Sequence, residues 1–401
     1  MVLHTDWMSH TTRSEEFSGG FPESIEAFGE LPDPREGRHK RHYFGEIIFM
    51  ALAAIICQCE GFDDMARFAK LKEDWLRKFL KLPNGTPSND TFRRVFTAID
   101  PKRFNRCFMA FIQATHGQLA AQLIAIDGKA VRHSFDTGTD TGHLHLLSAW
   151  ACEEGISLGQ LAVDKKTNEI TAVPKLLDLL DLEGHTVSLD AMGCQKEIAR
   201  KIHLARADYL LALKGNQGTL HKRVEEFFGS PGQVRAAKQR GKTITVSDCE
   251  NKGHGRHERR VVMATDSLEG IDKLERESWS GLRSIVCVEA HRKELSTGKS
   301  SVEKRYYITS HKPDAELLGK LIRQHWSIEN RCHWVLDVTW REDESRIRKN
   351  NAAQNVALLR KIALDLLKAD KTVKDTVRGK RLQATFSETI LSQFLRINYS
   401  K

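Results

Sequence analysis

A chain of 401 residues has room for two or three domains and buries enough apolar surface to need neither disulfides nor a structural metal. Its 62 Lys and Arg against 53 Asp and Glu give a net charge of +9 and a pI near 9.1, which favours a polyanionic partner without naming it. The eight cysteines include no CxxC pair, so a zinc cage and a disulfide framework are set aside and a reduced, cytoplasmic protein is expected.

Residues 1–32 form a polar segment without the apolar stretch of a secretory signal. From Asp33 the text changes: Arg35, Arg38, Lys40 and Arg41 crowd a turn marked by Pro34 and Gly37. The apolar run Ile47 to Cys57 follows, too short to span a bilayer and better read as a buried helix, so no membrane partner is expected. Met65, Phe68, Leu71, Trp75, Leu76 and Phe79 then repeat at helical spacing. After the break LPNGTPSND, one of Ser88, Asn89 and Asp90 can cap a further helix carrying Arg93 and Arg94. Residues 33–118 are therefore expected to form a helical domain, its basic turn and arginines placed to meet DNA phosphates.

At Leu123 the pattern switches to period two. LIAIDGKAVR, LHLLSAWACEE and ISLGQLAVD read as three consecutive strands, after which the strands HTVSLDA and ADYLLALK alternate with helical text. A meander followed by alternating strands and helices predicts an α/β fold with a mixed sheet. Residues 119–220 form the first part of this core and 221–312 a mainly β insertion. Residues 313–370 return to helical text as the second part, and 371–401 are a basic C-terminal tail.

Three acids stand out. Asp127 interrupts one apolar strand and Asp190 closes another, positions where an unpaired carboxylate is costly, although each alone can serve a turn. In IRQHWSIENRCHWVLD, a regular helix puts Ile322, His325, Trp326, Glu329, Cys332, His333 and Leu336 on one face, so Glu329 is expected among apolar neighbours and Trp326 in the core. Three converging carboxylates stay ionised only around cations, and hard oxygen ligands with open positions suit two Mg²⁺ or Mn²⁺ ions that bind phosphate oxygens. Asp127, Asp190 and Glu329 are thus the expected catalytic and metal-binding residues. Lys129, on the same strand face as Asp127, is a candidate phosphate neutraliser, and Lys214, Asn216 and Gln217 form a turn after a strand that can contact DNA. Trp279 in the insertion is read as either core or base-stacking.

DGK at Asp127, LDAMGCQKEI at Asp190, LLALKGNQ near Lys214 and HWSIENRCHWVLDV around Glu329 resemble, in this order, the bacterial insertion-sequence transposases of the DDE class, H-repeat-associated subgroup. The N-terminal DPREGRHKRHYFGEIIFMALAAIICQCEGFDD and PSNDTFRRVF extend the resemblance over nearly the whole chain. It implies a ribonuclease H-like core with Asp127 in the first strand, Asp190 after the fourth and Glu329 on a later helix. It also implies an insertion that helps hold element-end DNA, and a homodimer on paired ends of double-stranded DNA. The wider group carries a Tyr, an Arg and a Lys around the glutamate where this chain has Ile322, His325 and Leu336. His325 is therefore expected to take part of the arginine's role near phosphate, with Arg323 and His333 close by. Two other readings compete: a zinc hydrolase using His325, Glu329 and His333, and a catalytically silent, sequence-specific DNA-binding protein.

Overall fold

The computed structural model describes residues 27–36, 40–134, 143–163, 169–253 and 255–397. Helix α1 (Phe44–Ile56) is the apolar run read from the sequence and is buried from Glu46 to Ile56. Around it lie α2 (Phe62–Leu71), α3 (Glu73–Leu76), α4 (Asn89–Ala98) and α5 (Pro101–His116). The α4 cap is Ser88, whose Oγ accepts the Thr91 N–H, and Asp100 caps α5 in the same way from Arg103.

Strand β1 (Leu123–Val131) is buried through Ile126 and half-buried from Asp127 to Lys129. On one side it pairs antiparallel with β2 (Leu144–Ala151), which pairs with β3 (Ile156–Val163). On the other it runs parallel to β4 (Thr186–Leu189), itself parallel to β5 (Asp208–Leu213). Parallel neighbours need crossovers, and α6 (Glu169–Leu177) and α7 (Lys196–Leu204) lie before and after β4. The order β3-β2-β1-β4-β5 is that of a ribonuclease H-like mixed sheet.

The insertion follows as α8 (Gly218–Gly229), α9 (Pro231–Gln239), β6 (Ile244–Gly253), β7 (Arg256–Thr265), α10 (Lys273–Ser278), β8 (Ser284–Glu294) and β9 (Ser300–Thr309). It does not stand apart. β9 pairs antiparallel with β5, Leu210 opposite Thr309, so the sheet runs on without a break to nine strands, β3-β2-β1-β4-β5-β9-β8-β7-β6. Trp279 is core: its ring is buried and its Nε1 donates to Glu275 Oε1 at 3.0 Å.

Helices α11 (Ala315–His325) and α12 (Trp334–Trp340) are separated by a π turn, Glu329–His333. Helix α13 (Ala352–Ala369) is buried along nearly its whole length, as expected of a helix covered on all sides. It packs on β3 and against α1, α4 and α5, and Asn355 Nδ2 donates to Phe96 O at 2.8 Å and Ile99 O at 3.0 Å. The basic tail folds into α14 (Val377–Phe386) and α15 (Glu388–Phe394). Buried Arg381 donates to Ile55 O at 2.9 Å and lies 4.4 Å from the centre of the Trp340 ring, tying α14 to α1 and α12.

Among the described residues no helix is long and apolar enough to cross a membrane. One continuous apolar core runs from the N-terminal helices through α13 to the sheet. Leu359 on α13 is fully buried in it. Leu359→Ala is expected to lower unfolding free energy by about 2–5 kcal/mol in urea, with helix and tertiary signals lost in one transition. Two separated transitions would show that the helical and sheet layers fold independently.

Candidate functional site

Parallel pairing sets Ile126 of β1 opposite Leu189 of β4, so the next residues, Asp127 midway along β1 and Asp190 just past β4, emerge side by side where that pairing stops. The Asp127 side chain is 28% exposed, while Asp190 is open to solvent. Asp190 Oδ1 accepts the N–H groups of Met192 at 3.0 Å and Gly193 at 3.2 Å, a turn closed by its own side chain. Asn216 and Gln217 brace that same loop: Asn216 Nδ2 donates to Ala191 O at 2.6 Å and Gln217 Nε2 to Cys194 O at 2.9 Å. These two amides, read as DNA contacts, are thus engaged by the protein itself.

The third acid arrives on the π turn. The Trp334 N–H donates to Glu329 O, five residues back, and the extra residue breaks the 3.6-residue repeat assumed from the sequence. Ile322, Cys332, His333 and Leu336 remain buried, but Glu329 turns to the surface, correcting its expected place among apolar side chains. Trp326 is likewise not core. It is 47% exposed, and the Arg305 guanidinium lies 5.1 Å from its ring centre.

Asp127, Glu329 and His333 each offer one ligand atom, and the three atoms lie within 4.8 Å of one another. His333 Nε2 is 3.5 Å from Asp127 Oδ2, and neither nitrogen of this buried ring has a hydrogen bond of normal geometry. Burial favours the neutral imidazole, yet Asp127 and Cys332 beside it outweigh that and lift the His333 pKa to about 9. Burial also works against ionised Asp127, and the His333 contact more than offsets it, holding the carboxyl below its ordinary value. Two carboxylates, with an imidazole that can join them as a ligand only on losing its proton, fit a hard divalent cation such as Mg²⁺ or Mn²⁺. The group that gathers contains Glu329 and His333 with Asp127 in place of His325, whose Nδ1 is bonded to Ser188 Oγ at 2.8 Å. Burial pushes His325 below its ordinary pKa against the pull of Asp127 and Asp190, which favours the neutral imidazole bonded to Ser188 of β4.

The basic candidates divide. Lys129 is corrected: its ammonium meets Asp337, Glu342 at 2.9 Å and Asp343 at 3.8 Å, so internal carboxylates already take up its charge. Arg35 and Lys40 both pair with Asp33, and Arg93 pairs with Asp90 while staying about half exposed. Arg41, Arg94, Lys214 and Arg323 are exposed, and Arg38 lies outside the described residues. Sequence reading missed two arginine-rich clefts, which also hold carboxylates, Glu60, Asp63, Asp90 and Glu344 in the first and Glu258 and Glu303 in the second. One, of about 1510 Å³, is lined by Arg93, His133, Arg341, Arg346, Arg348 and Lys349. The other, of about 800 Å³, opens beside Asn330 between arginines 256, 260, 292, 305, 323 and 331. The signal was present in RHERR and SRIRKN, two short basic runs in polar text.

The family described as Transposase DDE domain matches residues 118–366, and its companion, DDE_Tnp_1-associated, matches residues 25–112. The chain is 38% identical over 366 residues to "Putative transposase YncI" of Escherichia coli O157:H7, covering 91% of this chain and 92% of that one. It is 35% identical over 373 residues to "H repeat-associated putative transposase YhhI" of E. coli strain K12, covering 92% and 97%. Over 71 residues, 18% of this chain and 84% of the relative, it is 31% identical to "Inactive transposase YbfQ" of the same strain. A piggyBac transposase synaptic complex with hairpin DNA, seen by cryo-EM, aligns at 12% identity and a TM-score of 0.43 over 94% of this chain and 77% of that one. By the family match along its core and by relatives that span its length, this chain belongs to the bacterial DDE transposases, in their H-repeat-associated group.

Proposed function

We propose that this protein is an active DNA transposase, which cuts double-stranded DNA at the ends of a mobile element and joins the freed 3′-hydroxyls to target DNA. The observation that carries the reading is the meeting of Asp127, Glu329 and His333 midway along β1, with Asp190 just past the end of β4. Asp127 and Glu329, joined by Asp190 once its carboxylate leaves the Met192 and Gly193 amides, would hold two Mg²⁺ or Mn²⁺ ions. Such ions, when bound, activate a water or hydroxyl and stabilise the leaving oxygen of an in-line phosphoryl transfer.

The chain's own residues do the rest. His333 keeps Asp127 ionised and aimed, and the Ser188 to His325 bond fixes the end of α11 against β4 just before Glu329. Arginines of the two clefts, one of which opens beside Asn330, hold phosphates, whose contacts orient the duplex without reading its sequence. The protein acts as a homodimer that pairs two element ends, in the cytoplasm, on nucleoid DNA. One observation favours the silent DNA-binding alternative, namely that Asp190 is engaged by its own loop.

Strand cleavage of the element's end DNA separates the two. Asp127→Asn, Asp190→Asn and Glu329→Gln are each expected to slow cutting in Mn²⁺ by at least about a hundredfold while leaving DNA affinity within about twofold. Equal cutting by all three variants removes the mechanism, and no cutting by the unaltered protein favours the silent binder.

After chelation, activity is expected to return with Mg²⁺ or Mn²⁺ and not with Zn²⁺. Recovery with Zn²⁺ alone would revive the hydrolase reading.

Arg346→Ala and Lys349→Ala, both exposed in the larger cleft, test the phosphate track. Each is expected to weaken DNA binding regardless of sequence and to make the slope of log affinity against log salt shallower by about 0.9. An unchanged slope in both places the duplex elsewhere.

A further inference from the structure

Lys129 lies two residues beyond Asp127 on β1, so both side chains leave the same face of the sheet. A lysine there would be expected to face substrate. Its side chain is only 11% exposed, however, and the three carboxylates around its Nζ, those of Asp337, Glu342 and Asp343, all belong to the chain that follows Glu329. Glu342 is itself 1% exposed, and its other oxygen is 3.8 Å from Arg360 Nη1 on α13. Arg132, just past β1, reaches Asp343 Oδ2 at 3.3 Å. The segment 337–343 is thus held by opposite charges between the catalytic strand and the central helix.

Before Glu329 there is a second tether, the hydrogen bond from Ser188 on β4 to His325 at the end of α11. Between the two tethers lies the π turn Glu329–His333. Such turns are rare in helices and tend to mark functional sites. Reverting it to an α turn would remove one residue's worth of rotation, about 100°, and swing Glu329 relative to α12 away from its present place beside Asp127. What keeps the turn wide must therefore fix both of its ends, and on the C-terminal side the contacts that do so gather on Lys129.

We propose that Lys129 is a positioning residue: by binding Asp337 and Glu342 it locks α12 against β1 and so holds Glu329 and His333 within reach of Asp127. This rests on the reading of Asp127 and Glu329 as partners at one cation site, and adds the device that sets their separation. It also accounts for the whole DGK tripeptide. Asp127 supplies the ligand and Lys129 the brace, while Gly128 faces the other side, where a Cβ would come within 2.7 Å of His145 Nε2 and crowd its bond with Glu169.

The test uses the full chain with Lys129→Met, Lys129→Arg and, in case the first fails to fold, Glu342→Gln, which leaves Lys129 its two aspartates. Three readouts are needed: amide hydrogen exchange across 329–343, Mn²⁺ affinity from the electron paramagnetic resonance of free Mn²⁺, and DNA affinity against salt without divalent ions. In Lys129→Met, exchange across 334–343 is expected to rise and Mn²⁺ affinity to fall about 10–100-fold, the range seen when a group orienting a metal ligand is lost. DNA affinity and its salt slope should not move, Lys129→Arg should recover most of the Mn²⁺ affinity, and Glu342→Gln should shift exchange the same way by less. Unchanged exchange and Mn²⁺ affinity with a shallower salt slope would make Lys129 a phosphate contact and overturn the proposal. Unchanged exchange in Glu342→Gln would overturn it too. If exchange rises in Lys129→Met but the unaltered protein binds no Mn²⁺, the brace stands and the cation site falls.

Discussion

Asp127 and Glu329 bring ligand oxygens within 4.8 Å of each other and of His333, close enough that the repulsion between two carboxylates has to be met by positive charge. In this structure the charge comes from the imidazole. His333 is 3% exposed, and with its pKa lifted to about 9 by Asp127 and Cys332 it is a cation at neutral pH. A buried cation has no reason to persist on an apolar helix face except for the anion beside it. The acid and the histidine therefore depend on each other.

The scaffold positions these groups from a distance. Parallel pairing of β1 and β4 fixes where the two aspartates emerge, whatever the loops do, because register in a buried sheet cannot slip by one residue without turning its apolar side chains outward. Helix α13 packs on the neighbouring strands β3 and β2. Its Lys361 ammonium donates to Ser148 Oγ at 2.6 Å and Gln160 Oε1 at 2.8 Å, and Ser148 stands opposite Asp127 on β2. Full burial drags the Lys361 pKa below its ordinary value. A polar network of this kind is costly when incomplete and directional when complete, so it ties the central helix to one register of the sheet.

How much of this was legible in the sequence follows from how far apart the interacting residues lie. The strand positions of Asp127 and Asp190 could be read because period-two text and an acid at a strand end are local signals. Glu329 was located correctly and oriented wrongly, since a π turn leaves no mark in a pattern scored at 3.6 residues. Lys129 was read as a surface cation because its partners Asp337 and Glu342 are 208 and 213 residues away in the chain. The tail fared similarly. Helices α14 and α15 are short and polar in sequence, and what holds them is Arg381 against Trp340 and Ile55, and Trp75 Nε1 donating to Ser392 Oγ at 3.2 Å. Local propensity is a weak prior in segments this brief, and tertiary partners decide them.

Asp190 shows how a group can be engaged and still be available. Its two backbone hydrogen bonds, at 3.0 and 3.2 Å, are exposed and stabilise the turn by about 1 kcal/mol each. Rotating the carboxylate out of them requires no movement of the main chain, because the loop is held independently through Ala191 O and Cys194 O by Asn216 and Gln217. A divalent ion carries full charges where the two amides offer only dipoles, so it attracts the Asp190 carboxylate more strongly than they do. The balance therefore turns on whether a cation is present, and Asp127 and Glu329 supply the field that would draw it in. The engagement of Asp190 by its own loop therefore counts for a silent binder only if it survives the arrival of a cation.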